Sequence, residues 1–569
     1  MATLFSKVIR AQAFISRFSK MGPFTKKCQK PLDAQWEYLK WLLKRHEDTA
    51  FGRKYDFKNI KSIKEYQQKV PIHRWDDIAP YIERVKEGEL TALFPANEKL
   101  IMFATTSGTS GIPKFVPVTE TSYKLWNNTW AHTWSNVMRE SPATFDGKGL
   151  YFPGDPEEGF INNIPHGAIT AKAYAAQSAV IRTIYPYPFQ VSRIKNYNAR
   201  YYTIMRMALE QDISFIPIAN PSVALALFNT AQVDRKNLIE DIRTGNLSHE
   251  NLLPPELVKM LRKKIKPNPK KAQFLQDIYD VTGDFLPRDY WPNLKTMICF
   301  SGGSCRLYLK RVQEYIGDTQ VFDFGLLSSE ARLSFPISSK HRGGVLTIES
   351  NFFEFIPEAQ IDLPHPEILT LDQLEKGSRY FVLFTNASGL YRYNISDLVE
   401  VIGFHGNTPI ISFCNKGSSI SSLTGEKLTE MQIVESVRKA SAKTGYDVTQ
   451  FVACPHWDEK LPHYTILRDE RADDNREQLQ EFINCVEAEL QEQNMEYSSK
   501  RSSQRLAPLT LKIVKSGGLH AYQEAKKNKC RNLSQFKYVY LNPDHQFEAQ
   551  FEIQNVIVAA AISQHVAAA

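Results

Sequence analysis

The chain has 569 residues, 43% of them hydrophobic and 12% aromatic, with 70 Lys and Arg against 62 Asp and Glu and a formal net charge of +8. This composition excludes a disordered or fibrous protein. The charge is spread out with no long basic run or aromatic-basic repeat, so nothing points to nucleic acid, while a small polyanionic ligand is compatible. At roughly 150 residues per domain, the length admits about four compact units or one large body with a smaller companion. The seven cysteines are scattered without a C-x-x-C pair, which predicts reduced thiols in a cytoplasmic setting and no zinc cluster. No apolar run reaches the ~18 residues of a transmembrane helix.

Taken in chain order, the first 32 residues hold seven Lys and Arg and no acid, interleaved with Phe5, Val8, Ile9, Phe14, Ile15 and Phe18. A first helix packed on the body is the expectation; organelle targeting or contact with a membrane surface fits the same pattern. A second amphipathic helix is predicted over 34–44. Short apolar runs at 213–218, 295–300, 320–324 and 379–385, bounded by Gly, Pro, Ser and Asn, read as buried strands between helices. They predict a large layered α/β body over residues 1–415. The small polar stretch 415–425 reads as a hinge or linker. Beyond it the pattern predicts a helix at 429–443, strands at 448–454 and 463–467, a helix at 475–493 and a strand at 509–514. That order suits a smaller, mobile α+β cap of ferredoxin-like type over 416–569.

The sharpest local signal is Thr105-Thr-Ser-Gly-Thr-Ser-Gly-Ile-Pro-Lys114, flanked by apolar residues as the tip of a strand-loop-strand. Gly108 and Gly111 allow tight turns, Thr106, Ser107, Thr109 and Ser110 offer hydroxyls, and Lys114 offers a charge: a phosphate cradle, or an ordinary Ser/Thr/Gly loop. It is not a Walker A sequence. The histidines never fall at metal-ligand spacing, no Gly-x-Ser-x-Gly elbow is present, and Trp126 to Trp134 lie at helical spacing expected of core.

Thr106 to Lys114 resembles the phosphate loop of the adenylate-forming superfamily, which includes the firefly luciferase-like enzymes. Four further stretches are similar to the Gretchen Hagen family of auxin-responsive acyl-acid amido synthetases, especially its bacterial-type members. They are Asp48-Thr-Ala-Phe-Gly-Arg-Lys-Tyr55, Phe300-Ser-Gly-Gly-Ser304, Asn351-Phe-Phe-Glu-Phe-Ile-Pro357 and Gly389-Leu-Tyr-Arg-Tyr-Asn-Ile-Ser-Asp397. The likeness runs in order along nearly the whole chain.

The resemblance implies the following roles. Gly303 and Ser304 belong to an adenine-side wall, although the stretch alone reads as a simple turn. Asp323-Phe-Gly-Leu-Leu-Ser-Ser-Glu330 is similar to the Tyr-Gly/Ala-Ser-Ser-Glu segment, so Ser329 borders ATP and Glu330 is the acid near Mg²⁺ and the α-phosphate, with Leu326 and Leu327 departing from the pattern. Asp397 accepts from both ribose hydroxyls, with Ser396 where glycine is usual; Arg392 beside it is expected to be an ion-pair partner. Ser534-Gln-Phe-Lys537 matches the first half of the segment that delivers a lysine, which makes Lys537 the candidate for stabilising charge during adenylation, or else a surface lysine.

The function implied is an ATP-binding, AMP-forming ligase of magnesium-dependent type. It makes an acyl-adenylate from a carboxylic acid and passes the acyl group to the amine of an amino acid. Coenzyme A as acceptor, or a non-catalytic relative that binds nucleotide or acyl acid, are the alternatives.

Overall fold

The computed structural model describes residues 15, 17–106, 114–152, 157–175, 177, 179–303, 305–361, 363–417, 420–448, 450–458, 461–529 and 539–560. These divide into two compact units, one ending at Asn415 and the other beginning at Lys416. No helix among the described residues is long and apolar enough to cross a membrane. Of the 32-residue basic N-terminal stretch, residues 15 and 17–32 are described, and Phe24 and Cys28 within it are buried in the core of the first unit.

The first unit mixes helices with three sheets. Lys148–Gly149, Ile213–Pro217, Thr296–Cys299 and Gln320–Asp323 form an all-parallel sheet in that order. Such strands are buried on both faces, which is why they read as apolar runs without alternation. A second sheet runs Lys114–Thr119, Leu100–Thr106, Ile164–Gly167, Gly159–Ile161. A third has six strands, ordered Asn351–Pro357, Arg379–Asn386, Tyr393–His405, Thr408–Lys416, Gly344–Leu346, Ser334–Phe335.

At the edge of that six-stranded sheet Phe355 bridges antiparallel to Leu369, and a helix serves the edge positions before it. Pro31–His46 starts with Pro at its first turn, ends with Lys44, Arg45 and His46, and buries Ala34, Tyr38, Leu39, Leu42 and Leu43. The basic end complements the helix dipole and the buried positions form one stripe. From the same helix the buried Gln35 acts as a surrogate strand partner. Its Nε2 donates to the carbonyls of Ile348 (2.9 Å) and Asn351 (2.7 Å), and its Oε1 accepts from the Phe353 N–H (2.7 Å). One side chain thus satisfies edge groups that apolar packing would leave orphaned.

The turn from Arg379–Asn386 into Tyr393–His405 passes through Arg392, whose φ is +45°. A left-handed arginine is disfavoured by its Cβ, and the surroundings hold it there. Arg392 Nε donates to both oxygens of Glu354 (3.1 and 2.9 Å), and Nη1 to the carbonyls of Gln67 (2.8 Å) and Val70 (2.7 Å). Both partners are buried. The sequence expectation that Arg392 serves an ion pair agrees with this contact.

The second unit has the expected elements in the expected order: Glu430–Thr444, Val452–His456, His463–Asp469, Arg476–Gln493 and Thr510–Val514. A helix at Gly518–Lys529 and an edge strand at Ile553–Val558 complete it. The four strands lie in chain order, paired antiparallel, parallel, antiparallel. Ile433, Val437 and Ala440 pack with Phe482, Ile483, Val486 and Leu490 in one core. Thr429 and Gln432 cap the first helix reciprocally, and Gly445 ends it with a φ of +69°.

Removing one partner of a buried ion pair leaves an uncompensated charge. Glu354→Gln is therefore expected to destabilise the protein by about 3–5 kcal/mol, measured by urea unfolding; a loss within 1 kcal/mol would show that Arg392 is held otherwise.

Candidate active site

Two loops leave the carboxyl ends of adjacent parallel strands, the position at which open α/β sheets place ligands. The first, after Thr296–Cys299, contains Ser301 to Gly303; the second, after Gln320–Asp323, leads to Ser329 and Glu330. Asp323 ties them together. Its Oδ2 accepts from the Ser301 N–H (3.0 Å) and, at short range, from the Ser301 hydroxyl, and its Oδ1 accepts from the Gly325 N–H (2.5 Å). Burial pushes its carboxyl up from the ordinary value, and these hydrogen bonds oppose that rise. The glycines of the first loop have a local reason. A Cβ on Gly302 would stand 2.6 Å from the Phe413 carbonyl oxygen, and Gly303, at φ +55°, donates its N–H to that same oxygen (2.9 Å). The close backbone approach made here is to the chain itself.

The second loop is a tight hairpin. Leu327 and Arg332 pair antiparallel, and the Ser328 N–H donates to the Ala331 carbonyl (2.9 Å). Its tip presents Ser329 and Glu330. The Ser329 hydroxyl donates to the Thr105 carbonyl (3.0 Å), which fixes the tip to the strand leading into the Ser/Thr/Gly loop. That strand and the next form an antiparallel pair with Thr106 opposite Lys114, as the strand-loop-strand reading expects. The Lys114 ammonium lies 5.2 Å from the centroid of the Trp75 ring.

Glu330 is buried, and its backbone carbonyl accepts from Asn386 Nδ2 (3.0 Å). Among the described residues no hydrogen bond or ion pair engages its carboxylate. Tyr393 places Asp397 in the same neighbourhood: burial first, then the charges of Glu330, Asp397 and Asp76, push its phenol well up. Asp397 is itself buried, on the strand Tyr393–His405. Among the described residues no three His, Cys, Asp or Glu side chains cluster as a metal cage. A hard cation held by one or two carboxylates, with phosphate and water completing the shell, is the type this donor set fits.

Ser396 has a φ of +61°, with its N–H donating to Asn394 Oδ1 (2.8 Å). The backbone thus keeps the left-handed turn that glycine ordinarily supplies, and serine carries the steric cost. Of the other candidate residues, Ser107, Gly108, Thr109, Ser110, Ser304 and Lys537 lie outside the described residues, as does the side chain of Thr106.

A small cavity of about 30 Å³ opens beside the hairpin, lined by Trp126, Ser329, Glu330, Arg332 and Ser388 among others. Trp126 and Arg332 were not singled out as site residues by sequence. Trp126 is buried as expected of core, yet its helix, Glu120–Glu140, turns the same face to this cavity. For Arg332 the available signal was a lone cation inside the apolar run Ala331 to Pro336.

This fold is that of the adenylate-forming enzymes. An acyl acid amido synthetase solved with 2,4-DB, AtGH3.15, superimposes with a TM-score of 0.63 at 18% identity over 94% of this chain and 96% of that one. A 2-hydroxyisobutyryl-CoA ligase follows with a TM-score of 0.51 at 11% identity over 91% of each chain. The chain belongs to the GH3 family: its N-terminal domain model matches residues 20–321, its central domain 344–416 and its C-terminal domain 431–546. Among curated relatives, the indole-3-acetic acid-amido synthetase GH3.3 of Arabidopsis thaliana is 23% identical over 94% of this chain and 91% of its own length. The jasmonoyl-L-amino acid synthetase JAR6 of Nicotiana attenuata is 25% identical over 88% and 90%.

Relieving the left-handed serine should stabilise the strand that bears Asp397. Ser396→Gly is expected to gain about 1 kcal/mol, read as a higher midpoint in calorimetry; a lower midpoint would mean that the serine side chain is needed there.

Proposed function

We propose that the protein is an acyl-acid amido synthetase, an ATP-dependent ligase that forms an acyl-adenylate and then an amide with an amino acid. The observation that carries this reading is the buried Glu330, presented on a hairpin bonded to the strand that enters the Ser/Thr/Gly loop, in the unit that also buries Asp397. Membership of a family whose named relatives join acids to amino acids supports it.

In the first step a carboxylate oxygen of the acid attacks the α-phosphorus of ATP, and pyrophosphate leaves. The main-chain N–H groups and hydroxyls of Thr106, Ser107, Gly108, Thr109 and Ser110, with the Lys114 charge, are assigned to the phosphates. Asp397 is assigned to the ribose, where an ionised carboxylate accepts from two hydroxyls. Gly303 and Ser304 are assigned to the adenine wall. Ser329 holds the hairpin, and Glu330 is the assigned magnesium ligand; bound Mg²⁺ supplies neutralisation of phosphate charge. Lys537 is assigned to the charge that develops on the α-phosphate. In the second step the amine nitrogen attacks the acyl carbon, the bond to AMP breaks, and the amine loses a proton. The chain forms no covalent intermediate in either step; its contribution is position and charge.

ATP–pyrophosphate exchange across a panel of carboxylic acids, followed by mass analysis with amino acids or CoA added, tests the reading. Acid-dependent exchange, AMP release and an amide product are expected; a thioester as the only product would overturn the assignment of the acceptor, and ATP hydrolysis to ADP would overturn the reaction. Lys537→Ala is expected to slow exchange by at least 100-fold, about 2.7 kcal/mol of transition-state stabilisation; unchanged exchange would remove Lys537 from the mechanism.

A further inference from the structure

Arg332 is only 2% exposed and lines the cavity beside Glu330. Its guanidinium is stacked on Trp130, with Cζ 3.9 Å from the ring centroid. Nη2 donates to the Thr133 hydroxyl (2.6 Å) and to the Phe324 carbonyl (3.3 Å). Among the described residues Nε and Nη1 have no acceptor, and neither do the indole N–H groups of Trp126 and Trp130, whose rings are 5.7 Å apart. All of these atoms can only donate. Three other buried arginines meet a carboxylate, Arg206 with Glu210 at 2.6 Å, Arg392 with Glu354 at 2.9 Å and Arg468 with Asp474 at short range, while Arg505 donates to the Ser503 hydroxyl (2.9 Å).

A buried cation without a counter-ion carries a desolvation cost of several kcal/mol, and a buried donor without an acceptor adds to it. The cost shows in Arg332 itself, which burial pulls down to about 9. The Thr133 and Phe324 oxygens are neutral and leave the charge uncompensated. A carboxylate answers what is missing, since it is anionic, accepts at two oxygens and matches the planar edge of a guanidinium. Glu330 shares the cavity lining, but no ion pair joins it to Arg332.

We propose that Arg332, beside Trp126 in the cavity lining, forms an anion subsite that binds a carboxylate of a substrate other than the one being activated. Two sources offer that chemistry: the far end of a dicarboxylic acyl acid, or the α-carboxylate of the acceptor amino acid. The inference rests on the amide-forming reaction proposed above for the identity of the ligand, and on the orphaned donors alone for the existence of the subsite.

The test pairs dicarboxylic acids of four to eight carbons, and aromatic diacids, each with its monomethyl ester, on the full chain and on Arg332→Met and Arg332→Lys. Binding is read without ATP by tryptophan fluorescence and titration calorimetry, and turnover by pyrophosphate exchange. A preference for one diacid over its ester of at least tenfold in the native chain, collapsing at least tenfold in Arg332→Met and partly kept in Arg332→Lys, places the far carboxylate there. If that ratio is unchanged, the amide-forming step is compared for amino acids and their decarboxylated amines. A tenfold rise in KM confined to the amino acids places the α-carboxylate there. Variants that melt cooperatively and change neither ratio overturn the subsite, and so does a native chain that shows no carboxylate preference in either comparison. Exchange with ordinary monocarboxylic acids alongside such a result would leave the ligase reading standing. Conversely, Arg332-dependent diacid binding without exchange by any acid would leave the subsite standing and remove the reaction.

Discussion

The buried pair Arg392–Glu354 is the constraint on which the geometry of the candidate site depends. Arg392 reaches into three parts of the first unit at once: Glu354 on an edge strand, the carbonyls of Gln67 and Val70 in the N-terminal helical region, and through its own N–H the Thr385 hydroxyl (2.8 Å). Its carbonyl accepts from His73, whose carbonyl in turn accepts from Asn394 (3.0 and 2.9 Å). A buried ion pair adds little net stability beside an apolar replacement of equal volume. What it does here is hold a left-handed arginine at the turn whose next residues are Tyr393 and Asp397. The two strained positions, Arg392 and Ser396, frame this turn, in keeping with the concentration of backbone strain at functional sites.

The hairpin at Leu327 to Arg332 shows how one short segment serves two tasks. Its tip is fixed to the strand before the Ser/Thr/Gly loop through Ser329 and presents Glu330, while its outgoing arm carries Arg332 against the helix that follows the loop. Glu330, the assigned magnesium ligand, and part of the wall of the cavity are therefore built from the same hairpin. In electrostatic terms the site sets Glu330 beside Arg332, a buried cation that meets no carboxylate among the described residues. A buried cation of that kind is costly to fold, which is the ground for the anion proposed to bind it.

Much of this was legible in the chain. Runs of apolar residues bounded by Gly, Pro and Ser marked the parallel strands, because a strand covered on both faces has no polar side to interrupt it. The helices and strands beyond 429 carried ordinary periodicity. Ser329, Glu330 and Asp397 were picked out by the order of motifs, and the structure places all three within the first unit near the Leu100–Thr106 strand or Tyr393. Arg332 and Trp126 were missed as site residues. Neither periodicity nor motif tells a core tryptophan from one whose edge borders a cavity, and a single arginine in an apolar run does not reveal whether a carboxylate will meet it.

The sequence by itself determined which residue types were present for acyl activation: hydroxyls and glycines in one loop, acids after strands, and a lysine near the end. It also determined the family, since ordered motifs over hundreds of residues leave few alternatives. Only tertiary structure decided that Arg392 spends its charge on Glu354 while Arg332 keeps its own, that the glycines at 302 and 303 answer to Phe413, and that a glutamine serves part of a sheet edge. The physical reason is the same in each case. Burial makes charges and hydrogen-bonding groups expensive, and whether that expense is met depends on atoms far apart in the chain.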